Sequence, residues 1–245
     1  MGNRNRSMLV KGGFSTYGQP LGILVFKGIT PRIPGDLGHA ETLDCNVIYE
    51  ILDNVSFMDL VNGSERTREE LVVAAQRLEA KGVRAIAGDC GLLARYQHEI
   101  ASVLTIPFIS SSLLLIPLIW QIQGRIGKIG LITGHTELLK KEHLLGVGIP
   151  NDIPLAIGGM ETVAEFVKVV INGAPELNVE GMRDGVIEVC RKLLAQHSDV
   201  RSLVLECSNL PPFAKDIYAE FKLPVYDLVG LTKLILNSVI PPEYK

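Results

Sequence analysis

Two cysteines carry the strongest chemical signal in this 245-residue chain. Cys90 lies in VRAIAGDCG (83–91) and Cys207 in VRSLVLECS (200–208). Laid over one another, Val83 meets Val200, Arg84 meets Arg201, Ile86 meets Leu203, Asp89 meets Glu206 and Cys90 meets Cys207, at an offset of 117 residues. The offset persists downstream, where Glu99-Ile100 falls over Asp216-Ile217 and Pro107 over Pro224. In each copy an apolar run reads as a buried strand that ends at the cysteine, a helix follows, and a proline opens the next strand. A shared acid-Cys step with the same downstream proline is more than two unrelated βα units owe to periodicity.

One thiol per half suits proton transfer at carbon. Inverting a carbon centre needs a base on one face and an acid on the other, which a thiolate and a thiol supply. A free thiol has a pKa of about 8.5 and a helix N-terminus lowers it, so the helices after Cys90 and Cys207 are expected to activate both. Asp89 and Glu206 would oppose that by raising the thiol pKa, unless strand alternation turns them away; they could instead shuttle protons. The backbone N–H groups of Gly91, Leu92, Ser208 and Asn209 are candidates to hold a substrate carboxylate or enolate oxygen. Gly91 permits close approach of the backbone, and Ser208 and Asn209 add side-chain donors.

Other positions are weighed against these. Arg32 could clamp a substrate carboxylate in bidentate fashion, or be a solvated loop residue or a structural partner of Asp36. One of Ser110, Ser111 and Ser112 is expected to line the site, with Ser111 the candidate and the others capping the next helix. Thr133, at the end of KIGLIT, is a further ligand-contact candidate. His135 reads as an exposed loop residue, and Cys45 and Cys190 as ordinary core or surface thiols.

Beyond residue 19 these positions sit in an alternating pattern. LGILVF (21–26), Asn46–Leu52, VRAIAG, PFIS, KIGLIT, DIPLAI, RSLVLE and PVYDL read as strands. Helices are expected over 67–81, in LLARYQHEIASVL, LLLIPLIWQI, TELLKKEHLLG and PPFAKDIYAEF, over 161–171 and 180–197, and at the C-terminus. Such alternation means βαβ units and parallel sheets covered on both faces. The repeat predicts an α/β chain of two parallel-sheet lobes related by a pseudo-twofold axis, each offering one thiol at the carboxyl end of its sheet, where open α/β sheets bind ligands. The expected division is a tail over 1–18, a first lobe over 19–122 plus 224–245 carrying Cys90, and a second lobe over 123–223 carrying Cys207.

Composition bounds the rest. Hydrophobic residues make up 47% and charged residues 21%, ordinary for a globular chain. A net charge of −3 offers no basic field for nucleic acid or an anionic membrane. The longest apolar run, Leu113 to Trp120, is far short of the roughly 18 residues of a membrane span. The first residues, with Arg4, Arg6 and Lys11, read as a solvated tail without a signal-peptide core. Four scattered cysteines without CxxC fit a reducing, cytoplasmic setting. GxGxxG, GxxxxGK[ST], HExxH and GxSxG are all absent.

AGDCG around Cys90 and LECSNLPP around Cys207 resemble the two cysteine signatures of the aspartate/glutamate/hydantoin racemase superfamily. That group also holds maleate isomerase, arylmalonate decarboxylase and an algal dimethylsulfoniopropionate lyase branch. TPRIPGDLGH (30–39), PFISSSLL (107–114) and GLITGHTELLKKEHLLGVGI (130–149) extend the resemblance over most of the chain after residue 20. It implies a cleft between two flavodoxin-like lobes, acid–base roles for Cys90 and Cys207, no pyridoxal phosphate, metal or nucleotide, and an isomerase acting on a small carboxylate or hydantoin, often as a homodimer. Gly91-Leu92 stands where many members carry Asn-Thr, which removes groups that would hold an amino-acid carboxylate. The loop 30–39 resembles that of the lyase branch. A racemase is therefore the leading expectation, and a lyase or decarboxylase on the same scaffold the alternative.

Overall fold

The computed structural model describes residues 12–243. The basic residues of the expected tail, Arg4, Arg6 and Lys11, lie outside that range. Two four-stranded parallel sheets form the frame. The first contains β1 (Leu21–Phe26), β2 (Val47–Leu52), β3 (Ala85–Gly88) and β4 (Phe108–Ile109), in the order β2-β1-β3-β4. The second contains β5 (Lys128–Thr133), β6 (Leu155–Gly159), β7 (Val200–Leu205) and β8 (Val225–Tyr226), in the order β6-β5-β7-β8.

The repeat read from the sequence is present in the backbone register. Ile86 of β3 pairs with Phe108 of β4, and Leu203 of β7 pairs with Val225 of β8, each pair displaced from the other by the same 117 residues. The prolines act alike too: Pro107 O accepts from Ile86 N at 2.9 Å, and Pro224 O from Leu203 N at 2.8 Å. Proline lacks an N–H but keeps its carbonyl, so it can open an edge strand of this kind.

Strand alternation decides what each face buries. Leu21 and Ile23 of β1, Ala85 and Ala87 of β3, Ile129 and Leu131 of β5 and Val204 of β7 share one apolar cluster that runs between the sheets. Leu24 and Ile86 face the other way, against the helix Glu65–Ala80 through Leu71, Ala75 and Leu78. Ile132, Leu203 and Leu205 pack against the helix Val179–Gln196 through Val186, Val189 and Leu193. Each lobe thus has its own outer core, and a third core joins the lobes. Burial of aliphatic side chains on this scale, at about 25 cal/mol per Å² of apolar area, is the main force holding the two sheets in fixed relation.

Several spans differ from expectation. The division at 224 falls too early: Val225–Tyr226 pairs with β7 in the second sheet, and it is the helix Leu228–Val239 that returns to β3 of the first. The segments after both cysteines begin as 3-10 turns, Gly91–Tyr96 and Pro211–Phe213, before α-helix takes over at Gln97 and Ala214. The expected helix over 161–171 is broken into a 3-10 turn, one α turn and a π segment, Val167–Ile171. Among the described residues no helix is long and apolar enough to cross a membrane.

Candidate active site

A cavity of about 510 Å³ opens at the carboxyl ends of both sheets. Cys90 and Cys207 line it together with Asp89, Glu206, Arg32 and Thr133. The loops that place them repeat one another. Asp89 N donates to Leu24 O at 3.0 Å and Glu206 N to Ile132 O at 2.8 Å, so each acid ends its strand hydrogen-bonded to the neighbouring strand. Each cysteine then turns the chain, with Cys90 O accepting from Leu93 N and Cys207 O from Leu210 N at 3.0 and 3.1 Å. Serines bind the halves at this point: Ser208 Oγ donates to Asp89 O at 2.8 Å, and Ser112 Oγ to Leu205 O at 2.7 Å.

The side chains are less symmetric. Asp89 Oδ2 lies 2.6 Å from Arg32 Nη2, off the line of the N–H bond, so the contact is an ion pair more than a directed hydrogen bond. Arg32 Nη1 donates to Asp36 Oδ1 at 2.7 Å, and Asp36 Oδ2 accepts from Asn209 Nδ2 at 2.9 Å. Among the described residues no cation pairs with Glu206 in this way. Its Oε2 accepts from Thr133 Oγ1 at 2.8 Å, and its Oε1 and backbone carbonyl press against Gly91, where any Cβ would collide with them. A glycine at 91 therefore lets the lobes approach this closely without strain.

Burial sets the protonation states. Both cysteines keep partial exposure through the cavity, but their sulfurs lie deep. Burial pushes both thiols well above their ordinary value and the Glu206 carboxylate adds to it, against backbone N–H groups of Leu92 at Cys90 and Asn209 at Cys207. The expected lowering by helix dipoles is thus reversed. A short 3-10 turn offers little dipole, and desolvation outweighs it. Burial also pushes Glu206 up to about 7, despite hydrogen bonds from Thr133 and Gly134. Burial and the neighbouring Asp36 raise Asp89, against the pull of Arg32. Burial alone would weaken the charge of Arg32, but Asp89 and Asp36 overcome it and hold the guanidinium firmly protonated.

The residues singled out in the sequence fare unequally. Cys90, Cys207, Arg32, Gly91, Leu92, Thr133, Ser208 and Asn209 all border the cavity. Ser111 does not: its buried side chain caps the turn Ser112–Leu115 by accepting from Leu113 N at 3.2 Å, and neither Ser110 nor Ser112 borders the cavity. Arg32 meets the description of a structural partner, with two carboxylates rather than one. His135, read as an exposed loop residue, borders the cavity with Nδ1 accepting from Glu137 N at 3.2 Å. The apolar wall was not foreseen. Phe26, Phe57, Leu138, Phe166, Val170 and Ile171 supply it, and no local motif marks them. The π segment Val167–Ile171 places Val170 and Ile171 there, and π turns recur at functional sites.

No family model matches the chain. It is 28% identical over 215 residues to a dimethylsulfoniopropionate lyase of Durusdinium sp. clade D, covering 85% of this chain and 71% of that protein. It is 27% identical over 233 residues to dimethylsulfoniopropionate lyase 6 of Emiliania huxleyi, covering 90% of this chain but only 60% of that longer protein. Among solved structures, a sulfate-associated variant of arylmalonate decarboxylase superposes with a TM-score of 0.64 at 12% identity, over 91% of this chain and 95% of that one. The aspartate racemase of Picrophilus torridus gives 0.56 at 16% identity, over 93% and 97%. The two-lobed α/β fold is thus that of the racemases and arylmalonate decarboxylase.

Proposed function

We propose that this chain is a cofactor-independent carbon-acid enzyme, and that its reaction is β-elimination from a small carboxylate bearing a positively charged β-substituent, of the dimethylsulfoniopropionate type. The observation that carries this reading is the meeting of Cys90 and Cys207, one from each sheet, with two buried acids in one cavity whose guanidinium is already engaged.

The charge inventory favours this over aspartate or glutamate. A dicarboxylate would enter a cavity that already holds Asp89 and Glu206, while Arg32 is held by Asp36 and Asp89, and Lys27, largely exposed, is paired with Asp53. A substrate with one carboxylate and one cationic centre balances better. Its cationic end suits the aromatic and aliphatic wall of Phe26, Phe57 and Phe166. Its charge would also ease ionisation of a thiol that burial has made reluctant. Backbone N–H groups after the cysteines, at Gly91 and Ser208, are the candidate partners for the carboxylate as it gains enolate character.

In this reaction a cysteine thiolate takes the α-proton. The C–H pair forms the new C=C bond, and the β-substituent leaves with its bonding pair as a neutral sulfide. Such a leaving group needs no acid. The similarity to dimethylsulfoniopropionate lyases over 85–90% of the chain supports the same reading.

Racemisation stays as the second reading because thiols come from both lobes, as a two-base inversion requires. Product analysis separates the two. Purified protein given dimethylsulfoniopropionate is expected to release dimethyl sulfide and acrylate in equal amounts. No release, together with loss of optical rotation from single-enantiomer amino acids or hydantoins, would overturn elimination.

A further inference from the structure

A chain of polar contacts runs round the cavity from one half-site to the other. Asp89, beside Cys90, meets Arg32 at 2.6 Å. Arg32 donates to Asp36 at 2.7 Å, Asn209 Nδ2 donates to Asp36 at 2.9 Å, and Cys207 Sγ donates to Asn209 Oδ1 at 3.6 Å. Elementary chemistry dictates the direction of the last two links. The Asp36 carboxylate receives Arg32 and the N–H of Gly38 (2.7 Å) and can only accept. The Asn209 amide must therefore turn its NH2 toward Asp36, which leaves its carbonyl oxygen facing the sulfur. An acceptor at sulfur stabilises S–H and disfavours the thiolate; the backbone N–H of Asn209 acts the other way on Cys207, but that of Leu92 does the same for Cys90, so the side-chain acceptor is what differs.

The other half-site lacks this device. By the offset of 117 residues the counterpart of Asn209 is Leu92, whose side chain can accept nothing. Arg32 instead favours the anionic form of Cys90. Charge alone does not separate the sulfurs: Glu206 weighs against ionisation of both; Asp36 and Cys90 weigh further against Cys207; at Cys90 Asp89 opposes ionisation and Arg32 favours it, Asp89 the more strongly. His135 and Lys27 border the same cavity.

We infer that Asp36 is a positioning residue that polarises the thiol pair: through Asn209 it holds Cys207 as the thiol and leaves Cys90 to lose its proton and act as the base. The catalytic consequence rests on the carbon-acid reading above, but the protonation order does not. During elimination Cys90 sulfur gains the α-proton, the leaving group departs with its electron pair, and the proton on Cys207 is not consumed. Nothing is oxidised or reduced.

The test is the pH profile of iodoacetamide alkylation for each cysteine, resolved by peptide mass spectrometry on the folded protein without substrate. Access rescales such a profile but does not move it along the pH axis. The Cys90 profile is expected at lower pH, with a thiolate fraction about tenfold that of Cys207 at a given pH. In Asp36→Asn the Asn209 amide is free to turn, and the two profiles should converge to within about twofold. Asn209→Leu, which copies the Leu92 half-site and spares the Arg32–Asp36 pair, should produce the same convergence and guards against failure of the first variant to fold. Profiles that coincide in the unaltered protein, a Cys207 profile at lower pH, or separation that survives both variants would overturn the inference. A failed elimination assay alongside separated profiles would remove the reaction and leave the polarity standing.

Discussion

The half-sites around Cys90 and Cys207 have the same backbone and different chemistry. Strand position, register and the turn after the cysteine repeat at a fixed offset. The acids ahead of the cysteines diverge: Asp89 meets a guanidinium, whereas Glu206 meets a threonine hydroxyl. The residues after them diverge as well, Gly91-Leu92 against Ser208-Asn209. A duplicated frame fixes where the two thiols sit, and the side chains around them give each sulfur different neighbours. A reversible inversion is served by two thiols of similar proton affinity, whereas a one-way elimination is served by unequal ones. The asymmetry therefore bears directly on the reaction.

The sharpest way to break the comparison is to remove each sulfur in turn. Cys90→Ser is expected to lower kcat for elimination by about a thousandfold, within the range for loss of a general base. Cys207→Ser should cost only about tenfold, because the leaving group needs no proton. Losses of equal size, with melting temperature preserved, would point to two-base inversion instead.

Next in size is the ion pair that only the first half-site possesses. Arg32→Met strands two buried carboxylates, and breaking a buried pair from one side costs about 3–5 kcal/mol. Thermal denaturation should show that loss. It should grow as pH rises, because Asp89 is already inclined to keep its proton and escapes the penalty while protonated. A pH-independent loss would mean that packing of the Arg32 stem, not charge, holds the loop.

Much of this frame was legible in the sequence. The repeat set the two lobes, the positions of both cysteines and the edge strands opened by Pro107 and Pro224, because all of these follow from local apolar runs and chain punctuation. The sign of the thiol shifts was not legible. It depends on how deeply the sulfurs are buried and on Glu206 reaching toward both, which are properties of the closed lobes. The partner of Arg32 was likewise left open between substrate and protein. Asp36 lay within view at i+4, but Asp89 is 57 residues on. Three successive serines give no local clue to which faces the cavity, and Ser111 turns instead to cap the turn that follows it. The π segment Val167–Ile171 reads like plain amphipathic helix, so Val170 and Ile171 could not be foreseen as part of the wall.

The second half-site carries its own signature in pH. Glu206 titrates at about 7 in the folded chain against an ordinary value of about 4.5. A raised acid contributes most stability below its unfolded value and loses it as pH rises through the folded one. Stability should thus fall by on the order of 3 kcal/mol between about pH 4.5 and 7 from this group, then level off. Denaturant midpoints measured across that window should show the slope, and Glu206→Gln should flatten it. A slope unchanged in Glu206→Gln would assign it elsewhere, Asp89 first.

The smallest effects come from the pair that differs by one side chain, Gly91 and Ser208. Adding a methyl at 91 drives a Cβ into the Glu206 carboxylate, which can turn aside, and into its backbone carbonyl, which cannot move without shifting the strand end. Gly91→Ala is expected to cost about 2 kcal/mol, the usual scale of overpacking. Ser208→Ala deletes one hydrogen bond to Asp89 O at 2.8 Å and no volume that the lobes need, so about 1 kcal/mol is expected. Both are read from chemical denaturation at constant pH. If Ser208→Ala proved the costlier change, the halves would be joined mainly by hydrogen bonds at their carboxyl ends, and the close approach at Gly91 would be incidental to it.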